Sequence, residues 1–600
     1  MIVIDFETLP IEPRPDYPPK PVAVSVLHDG RKKEFAYGMP DMRRLLGPIF
    51  RGREELLFHH AAFDLSVATE KLGLPMPPWQ RVHDTMWLIF LHNPYAQLAL
   101  KTAARELLHI GEEDQQELAD WIYANIPEAK GKKLWGKWIG YAPKRLLEKR
   151  AHGDTFRTWA LFQALMPEIK KLNMTDAYNR ERRLLPMLMA NSKRGVRVDV
   201  KAIRRKTEEL EEGIVKCDNL ARKMLRAPGL NVGSPQELIK AIDARGMGGN
   251  WLKTPGGKDS AAKNSLLQGV TNKELLSLLQ YRGKAETGLS MFLRKWCDTL
   301  DRTGNRLYTD WKQVKGEGAG AMSGRMSSSP NFQNIPKGLK ADDLTVSHGL
   351  TPMPLFRTYF LPEPGETWVR RDYSQQELRI LAHFAGGNLK KMYLDNPKVD
   401  FHQFAADSME KMGVKLMTQE VQIKVNRYDD ARGIAKMIAF SILYGMGDNE
   451  LGYRLGIDAS QSKHVRRSYL TLFPGLKDLN DRLKSDKHAV TWGGRHYDVA
   501  PPMFIDGRIR SFEYKLLNYL IQGSAADYTK EGLCRLYEAG FSYQFRICVH
   551  DEDNFSLAGT VKQVKEQADA INEVMCSPAL DVPMLSDGER GKSWGSLRKW

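Results

Sequence analysis

Asp372 stands where the run Trp368-Val369-Arg370-Arg371 ends and a helical spacing of apolar residues through Ile380, Leu381 and Phe384 begins. Ser374 and Glu377 match an S-x-x-E capping box, so a helix is predicted to open at Ser374. A carboxylate at a strand end, beside the free backbone groups of a helix start, is placed to hold a divalent cation. A second acidic group, His550-Asp551-Glu552-Asp553, follows a β run from Phe545 and precedes Asn554-Phe-Ser-Leu, which reads as strand, acidic turn, strand. Two carboxylates from separate strands can share two cations across a phosphate ester. Arg432, Lys436, Phe440 and Tyr444 recur at every fourth position before Gly445. Each step of four advances roughly 40° past a full turn, so all four share one broad helix face. Two cations followed by two rings suit a triphosphate followed by a nucleoside. A solvated face would explain the cations alone and a core the rings alone; neither explains both on one face. At the N-terminus, Asp5 and Glu7 lie two apart on the strand pattern Ile2-Val-Ile-Asp-Phe-Glu-Thr8 and so point to one side. Asp64 and Asp154 are further carboxylates that, taken singly, read as solvated or capping groups.

These residues need elements to position them. Asp84-Thr85-Met86 opens a helix. Residues 200–225 form a long amphipathic helix, Ser234 precedes Pro235 at another helix start, and Lys273–Leu300 is a further helix carrying Tyr281, Arg282 and Lys284. Residues 323–336, with Arg325, Gln333 and Asn334, are too rich in turn formers to be a regular element. Thr491-Trp-Gly-Gly-Arg495 signals a hairpin, and Asn518 and Gln522 share one face of the helix that follows. Residues 130–138 interleave lysines with Trp135 and Trp138, a pattern that either stacks on single-stranded DNA or packs inward.

Six hundred residues exceed what one core supports, so several domains are expected. A net charge of +16 points to a polyanionic partner whose counterions are released on binding. Five scattered cysteines with no C-x-x-C pair argue against a zinc site or a disulfide framework and suit a reducing cytoplasm. No signal peptide and no apolar run of membrane-spanning length is visible.

The octet Asp372-Tyr-Ser-Gln-Gln-Glu-Leu-Arg379 resembles the first palm motif of the A-family DNA polymerases, the DNA polymerase I type. The pattern R-x3-K-x3-F-x3-Y-G resembles that family's fingers helix, and His550-Asp551-Glu552 its third palm motif. Asp5, Glu7, Asp64 and Asp154, in this order, resemble the four metal carboxylates of DEDD 3′–5′ exonucleases. Two positions depart from that pattern: His60 stands where Asn is usual, and Arg150 where one branch has Tyr. The other branch has His where this chain has Lys149, and His152 is misplaced for either.

The resemblance implies an α/β and α+β multidomain chain. An RNase H-like exonuclease domain (1–180) would precede a right-hand polymerase module (181–600), with thumb 200–300, palm 301–385 and 490–600, and fingers 386–489. It implies that Asp372 and Asp551 bind two Mg²⁺ (or Mn²⁺) ions, with Glu552 in support, and that Lys436 protonates the leaving pyrophosphate. Arg432, Phe440, Tyr444, His402 and Tyr373 would meet the incoming dNTP, and Glu377 would exclude ribonucleotides, a role that can coexist with capping. Arg325, Gln333, Asn518, Gln522 and His550 would meet primer–template DNA. Phe440 is expected to discriminate against dideoxynucleotides. The chain is expected to act as a monomer in the cytoplasm, with a replication helicase or single-strand-binding protein as further partner. Its compact length, with no room before Met1 for a 5′-nuclease domain, leans toward a phage replicative enzyme. A single-subunit RNA polymerase and a catalytically silent DNA-binding protein are the alternatives; Glu377 and the N-terminal carboxylates oppose the first, and intact Asp372, Lys436 and Asp551 the second.

Overall fold

The computed structural model describes all residues except 131–134, 317–321, 339–348, 415, 417–429 and 506. Two sheets organise the chain. The N-terminal one has the order Lys32–Tyr37, Pro21–His28, Ile2–Thr8, Leu56–Phe58, Val82–Asp84, antiparallel over the first three strands and parallel over the rest. Its apolar strands bury both faces, and the 28-residue helix Lys144–Lys171 packs across the two longest. Asp84 ends the last strand and caps the helix Thr85–His92 by accepting from the Met86 N–H at 2.8 Å.

The second sheet is wholly antiparallel, in the order Phe545–Val549, Glu552–Leu557, Thr367–Tyr373, Ser586–Gly591, Arg598–Lys599. Helices Leu516–Glu538 and Val561–Cys576 pack together, and Val561–Cys576 also covers the central strand. Helix Val200–Leu225 pairs with Lys273–Gly288, which continues through one π-helical turn into Arg294–Thr303; their outer ends close a small separate core around Leu238, Leu266 and Leu279. Helices Phe401–Lys411 and Ala431–Leu443 lie against each other beyond the sheet.

Helix Thr175–Arg194 joins the two halves. Ala177, Tyr178 and Leu185 enter the N-terminal core, whereas Leu184, Met187 and Leu188 enter the large C-terminal one. Buried Glu181 on this helix pairs with buried Lys530, which also donates to the Gln313 carbonyl at 2.8 Å. Trp135 and Trp138 are half-buried against a small cluster of their own, so the inward-packed reading describes them better than an open stacking platform; residues 131–134 of that segment lie outside the described ones.

Candidate active sites

The central strand Thr367–Tyr373 explains one site by simple alternation. Trp368, Arg370 and Asp372 point to one face, where Trp594 stacks on Trp368 and Arg370 reaches Glu552. Arg371 and Tyr373 point to the other and donate to the Ala568 and Met575 carbonyls of helix Val561–Cys576. The Tyr373 ring is therefore core, at 1 % exposure, and offers no side-chain contact to a nucleotide. Its backbone N–H does serve the site, donating to the Asp551 carbonyl at 2.9 Å and holding the acidic turn beside Asp372.

Asp372 lies opposite Glu552 in register. Burial raises its carboxyl above the usual range, while Lys337, 3.6 Å away, pulls it down. Burial and then the Asp372 charge push Asp551 up to about 7. Among the described residues no Lys or Arg is ion-paired with Asp551. Two neighbouring carboxylates, one raised by the other's charge, are a donor set a divalent cation would satisfy. Glu552 is different. Burial would raise it, but Arg357 (3.1 Å) and Arg370 (3.4 Å) outweigh that and hold it below the usual range, with Trp594 Nε1 (2.7 Å) and Asn554 Nδ2 (3.0 Å) also donating to it. Its carboxylate anchors the turn rather than standing open. Asp553 falls on the helix-covered face, fully buried, with neither oxygen hydrogen-bonded and its carboxyl pushed by burial to about 7.

The predicted capping box does not form. The helix runs Gln376–Ala385 behind Gln375, whose φ of 54° makes the tight turn. Ser374 Oγ donates instead to Asp587 at 2.7 Å. Glu377 is ion-paired with Arg325 and accepts from the Tyr444 hydroxyl at 3.1 Å. That contact ties the strand-end site to helix Ala431–Leu443. Along this helix Arg432 pairs with Asp400 at 2.7 Å, the Lys436 Nζ lies 5.8 Å over the Phe440 ring, and Phe440 stacks on Tyr444 at 5.5 Å and 15°. His402 is buried with its ring 6.0 Å from Phe440; burial, then Lys436 and Arg432, push it down to about 4 and keep it neutral. Asn518 and Gln522 sit on helix Leu516–Glu538. Arg325, Gln333 and His550 line a small cleft together with Thr529 and Lys530.

The other site lies under helix Lys144–Lys171. Asp5 and Glu7 share the sheet face it covers, Asp154 comes down from the helix, and one oxygen of each lies within 4.8 Å of the others. These carboxylates could coordinate a divalent metal. Asp64, on helix Ala61–Ser66, is not one of these three; it accepts from the Phe6 N–H at 3.2 Å and lies near enough to feel the Asp5 charge. Burial and then Asp154 push Asp5 up to about 7, and burial and then Asp5 raise Asp64. Cations reach the cluster as well: Arg150 pairs with Glu7, and Lys101 lies 3.1 Å from Asp154. His60, at φ 78°, stacks on Phe63 and donates its backbone N–H to Asp84 at 3.1 Å. With Asp5, Asp64 and the Lys312 and Asp310 side chains it lines a cavity of ≈ 430 Å³ between the two halves. His152 turns away to Ser25.

Sequence reasoning missed Arg357, Arg370, Lys337 and Lys101. Only Arg370 carried a signal, its even spacing from Asp372 along the strand.

The chain is similar to DNA polymerase I of Rhizobium leguminosarum, 29 % identical over 463 residues, covering 73 % of this chain and 42 % of that protein. It is similar to DNA polymerase DpoZ of Vibrio phage phiVC8 over nearly its whole length, 25 % identical with 90 % and 87 % covered. In fold it resembles the POL domain of Pol1 from M. smegmatis, at a TM-score of 0.74 and 20 % identity, over 99 % of this chain and 96 % of that one. It thus spans less than half of the rhizobial polymerase but most of the phage one. The fold is that of this POL domain over nearly the whole of both chains. Residues 200–596, more than half the chain and all the palm and fingers residues described above, match the profile of DNA polymerase family A, and the chain belongs to that family.

Proposed function

We propose that this chain is a template-directed DNA polymerase that extends a primer 3′ end with dNTPs, coupled to a 3′–5′ exonuclease in its N-terminal half, and that it replicates a phage genome. The observation that carries the reading is the Glu377 bridge: one carboxylate, on the helix that follows the Asp372 strand, is ion-paired with Arg325 and accepts from Tyr444, whose ring stacks on Phe440. Asp372 and Asp551 would hold two divalent cations, Mg²⁺ or Mn²⁺, which would supply charge neutralisation and Lewis acidity at the primer terminus and the triphosphate. Glu552, clamped by Arg357 and Arg370 and in register with Asp372, fixes the turn that carries Asp551. Arg432 and Lys436 take the triphosphate, and Lys436 gives its proton to pyrophosphate. Phe440 packs under the sugar and base. Glu377, fixed from two sides, closes the space a ribose 2′-hydroxyl would need. Asn518, Gln522, Arg325, Gln333 and His550 follow primer and template through contacts common to all base pairs.

In the N-terminal half, Asp5, Glu7 and Asp154, with Asp64 as the further ligand, would bind a divalent ion that would supply the charge and Lewis acidity for phosphodiester hydrolysis. The cavity beside them receives the frayed 3′ nucleotide. The net charge of +16 makes DNA binding weaken with salt. The domain limits proposed from the sequence are kept, with helix Thr175–Arg194 shared across the 180 boundary. Its site of action is taken to be the cytoplasm. Among the described residues no helix is long and apolar enough to cross a membrane.

The test is a gel assay on a labelled primer–template with Mg²⁺, with and without dNTPs, for the intact protein and Asp372→Ala. Extension lost in the variant, with shortening retained when dNTPs are absent, supports both activities in separate sites. No extension by the intact protein with any nucleotide overturns the polymerase reading.

A further inference from the structure

Helix Lys144–Lys171 presents Arg150 and Asp154 one turn apart on the face that covers Asp5 and Glu7. One end of the Arg150 guanidinium is ion-paired with Glu7 and the other lies 3.5 Å from Asp154. Lys101 and Arg157 approach Asp154 at 3.1 and 3.2 Å, and Arg157 is also paired with Asp114. The Arg150, Lys101 and Arg157 side chains are at most 15 % exposed, and those of Glu7 and Asp154 at most 6 %. The ring of Trp135 backs Arg150 from the far side at 5.7 Å.

A guanidinium shared between two carboxylates in so dry a place is a strong, oriented contact. The groups it holds, Glu7 and Asp154, are the same ones that converge with Asp5. Charge sharpens the point. Glu7 and Asp154 already have cations, Arg150 on the first and Arg150, Lys101 and Arg157 on the second, whereas among the described residues Asp5 is ion-paired with none.

We infer that Arg150 is a tethered cation standing in one of the divalent-ion positions of the N-terminal cluster, so that the cluster takes up one ion while Arg150 is seated and a second only when Arg150 is removed or displaced. The inference rests on the metal-site reading of that cluster. It makes Arg150 a positioning residue: its fixed charge can hold a phosphate oxygen, but it cannot acidify a water as a metal does.

The experiment counts Mn²⁺ bound to the full-length chain by electron paramagnetic resonance. All proteins carry Asp372→Asn and Asp551→Asn, so that the palm contributes no ion. Arg150→Ala, and Arg150→Gln as a variant closer in size, are compared with this parent, each with and without Asp5→Asn. The expected result is one additional Mn²⁺ per chain in both Arg150 variants, with overall affinity raised roughly tenfold or more and lost again on adding Asp5→Asn. Melting temperature gives a second readout. The Arg150 variants should melt below the parent in EDTA, because buried Glu7 loses its cation while Asp154 keeps Lys101 and Arg157, and should gain more than the parent on adding Mn²⁺. Equal stoichiometry and affinity with and without Arg150, still abolished by Asp5→Asn, would overturn the role of Arg150 and leave the metal site standing. No Mn²⁺ bound in any of these proteins would overturn both.

Discussion

The two acidic clusters meet their arginines in opposite ways. In the antiparallel sheet, Arg357 and Arg370 both go to Glu552, leaving Asp372 with exposed Lys337 at 3.6 Å and Asp551 with no ion pair among the described residues. In the N-terminal sheet, Arg150 and Lys101 go to Glu7 and Asp154 themselves. The carboxylates are alike; what differs is where neighbouring elements end their cationic side chains. Arg370 shares a strand face with Asp372, yet the register brings Glu552 within its reach, so the cation locks the turn and spares the Asp372–Asp551 pair. Arg150 sits one helical turn before Asp154, and that spacing drops it into the cluster.

This contrast can be broken in several ways. The largest effect is expected from Asp551→Asn, which removes a carboxylate with no cation of its own. Primer extension should fall on the order of 10³-fold or more, equivalent to several kcal/mol, while primer shortening persists; loss of both activities together would mean the sites are not separate. Next, Arg357→Ala strips buried Glu552 of its nearest guanidinium. A loss of about 3 kcal/mol is expected, read as a lower denaturation midpoint, and an unchanged midpoint would mean that Arg370 and Trp594 suffice.

A pH series tests the open pair directly. The Asp551 carboxyl sits near 7 in the folded chain against 3.8 for its ordinary value. The folded state therefore binds more protons than the unfolded one between these limits, and the stability this gives is complete below about pH 4 and gone above about pH 7. Without divalent ions, Asp551→Asn should be more stable than the intact protein at pH 8, by an amount on the order of 1 kcal/mol or more, and the gap should close toward pH 4. A gap that widens on acidification would reverse the assignment. The smallest effect concerns the stacked face. Phe440→Tyr adds one hydroxyl beside the incoming sugar and should raise dideoxynucleotide incorporation relative to dNTPs by roughly tenfold or more, the worth of about one hydrogen bond; an unchanged ratio would take Phe440 away from the sugar.

Periodic features are legible in the amino-acid sequence by itself. The helices at 200–225 and around Arg432–Tyr444, and the strand leading to Asp372, follow from apolar and functional spacing alone. The fate of the capping box is not legible there, because Ser374 and Glu377 each have a stronger partner more than fifty residues away in sequence, Asp587 and Arg325. Local pattern reports what a side chain could do nearby, not what competes for it. For Tyr373, resemblance points to the nucleotide while period-two alternation sets the ring opposite Asp372, and the alternation prevails. Arg357 is close to two hundred residues from Glu552, and no spacing rule reaches that far. The departure at position 150 is visible in the sequence, whereas the ion pair it makes is not.

Helix Thr175–Arg194 bears on how the molecule can be taken apart. A fragment begun at residue 181 would lose Ala177 and Tyr178 and expose the helix's first turns as a ragged end. One begun beyond it would also strand Lys530 without Glu181 deep in the larger core. A protease or a cloning boundary therefore has no clean seam at residue 180. A workable polymerase fragment should keep the helix whole and start at or before Met174, carrying a strip of the other core's apolar surface into solvent as the toll for separation.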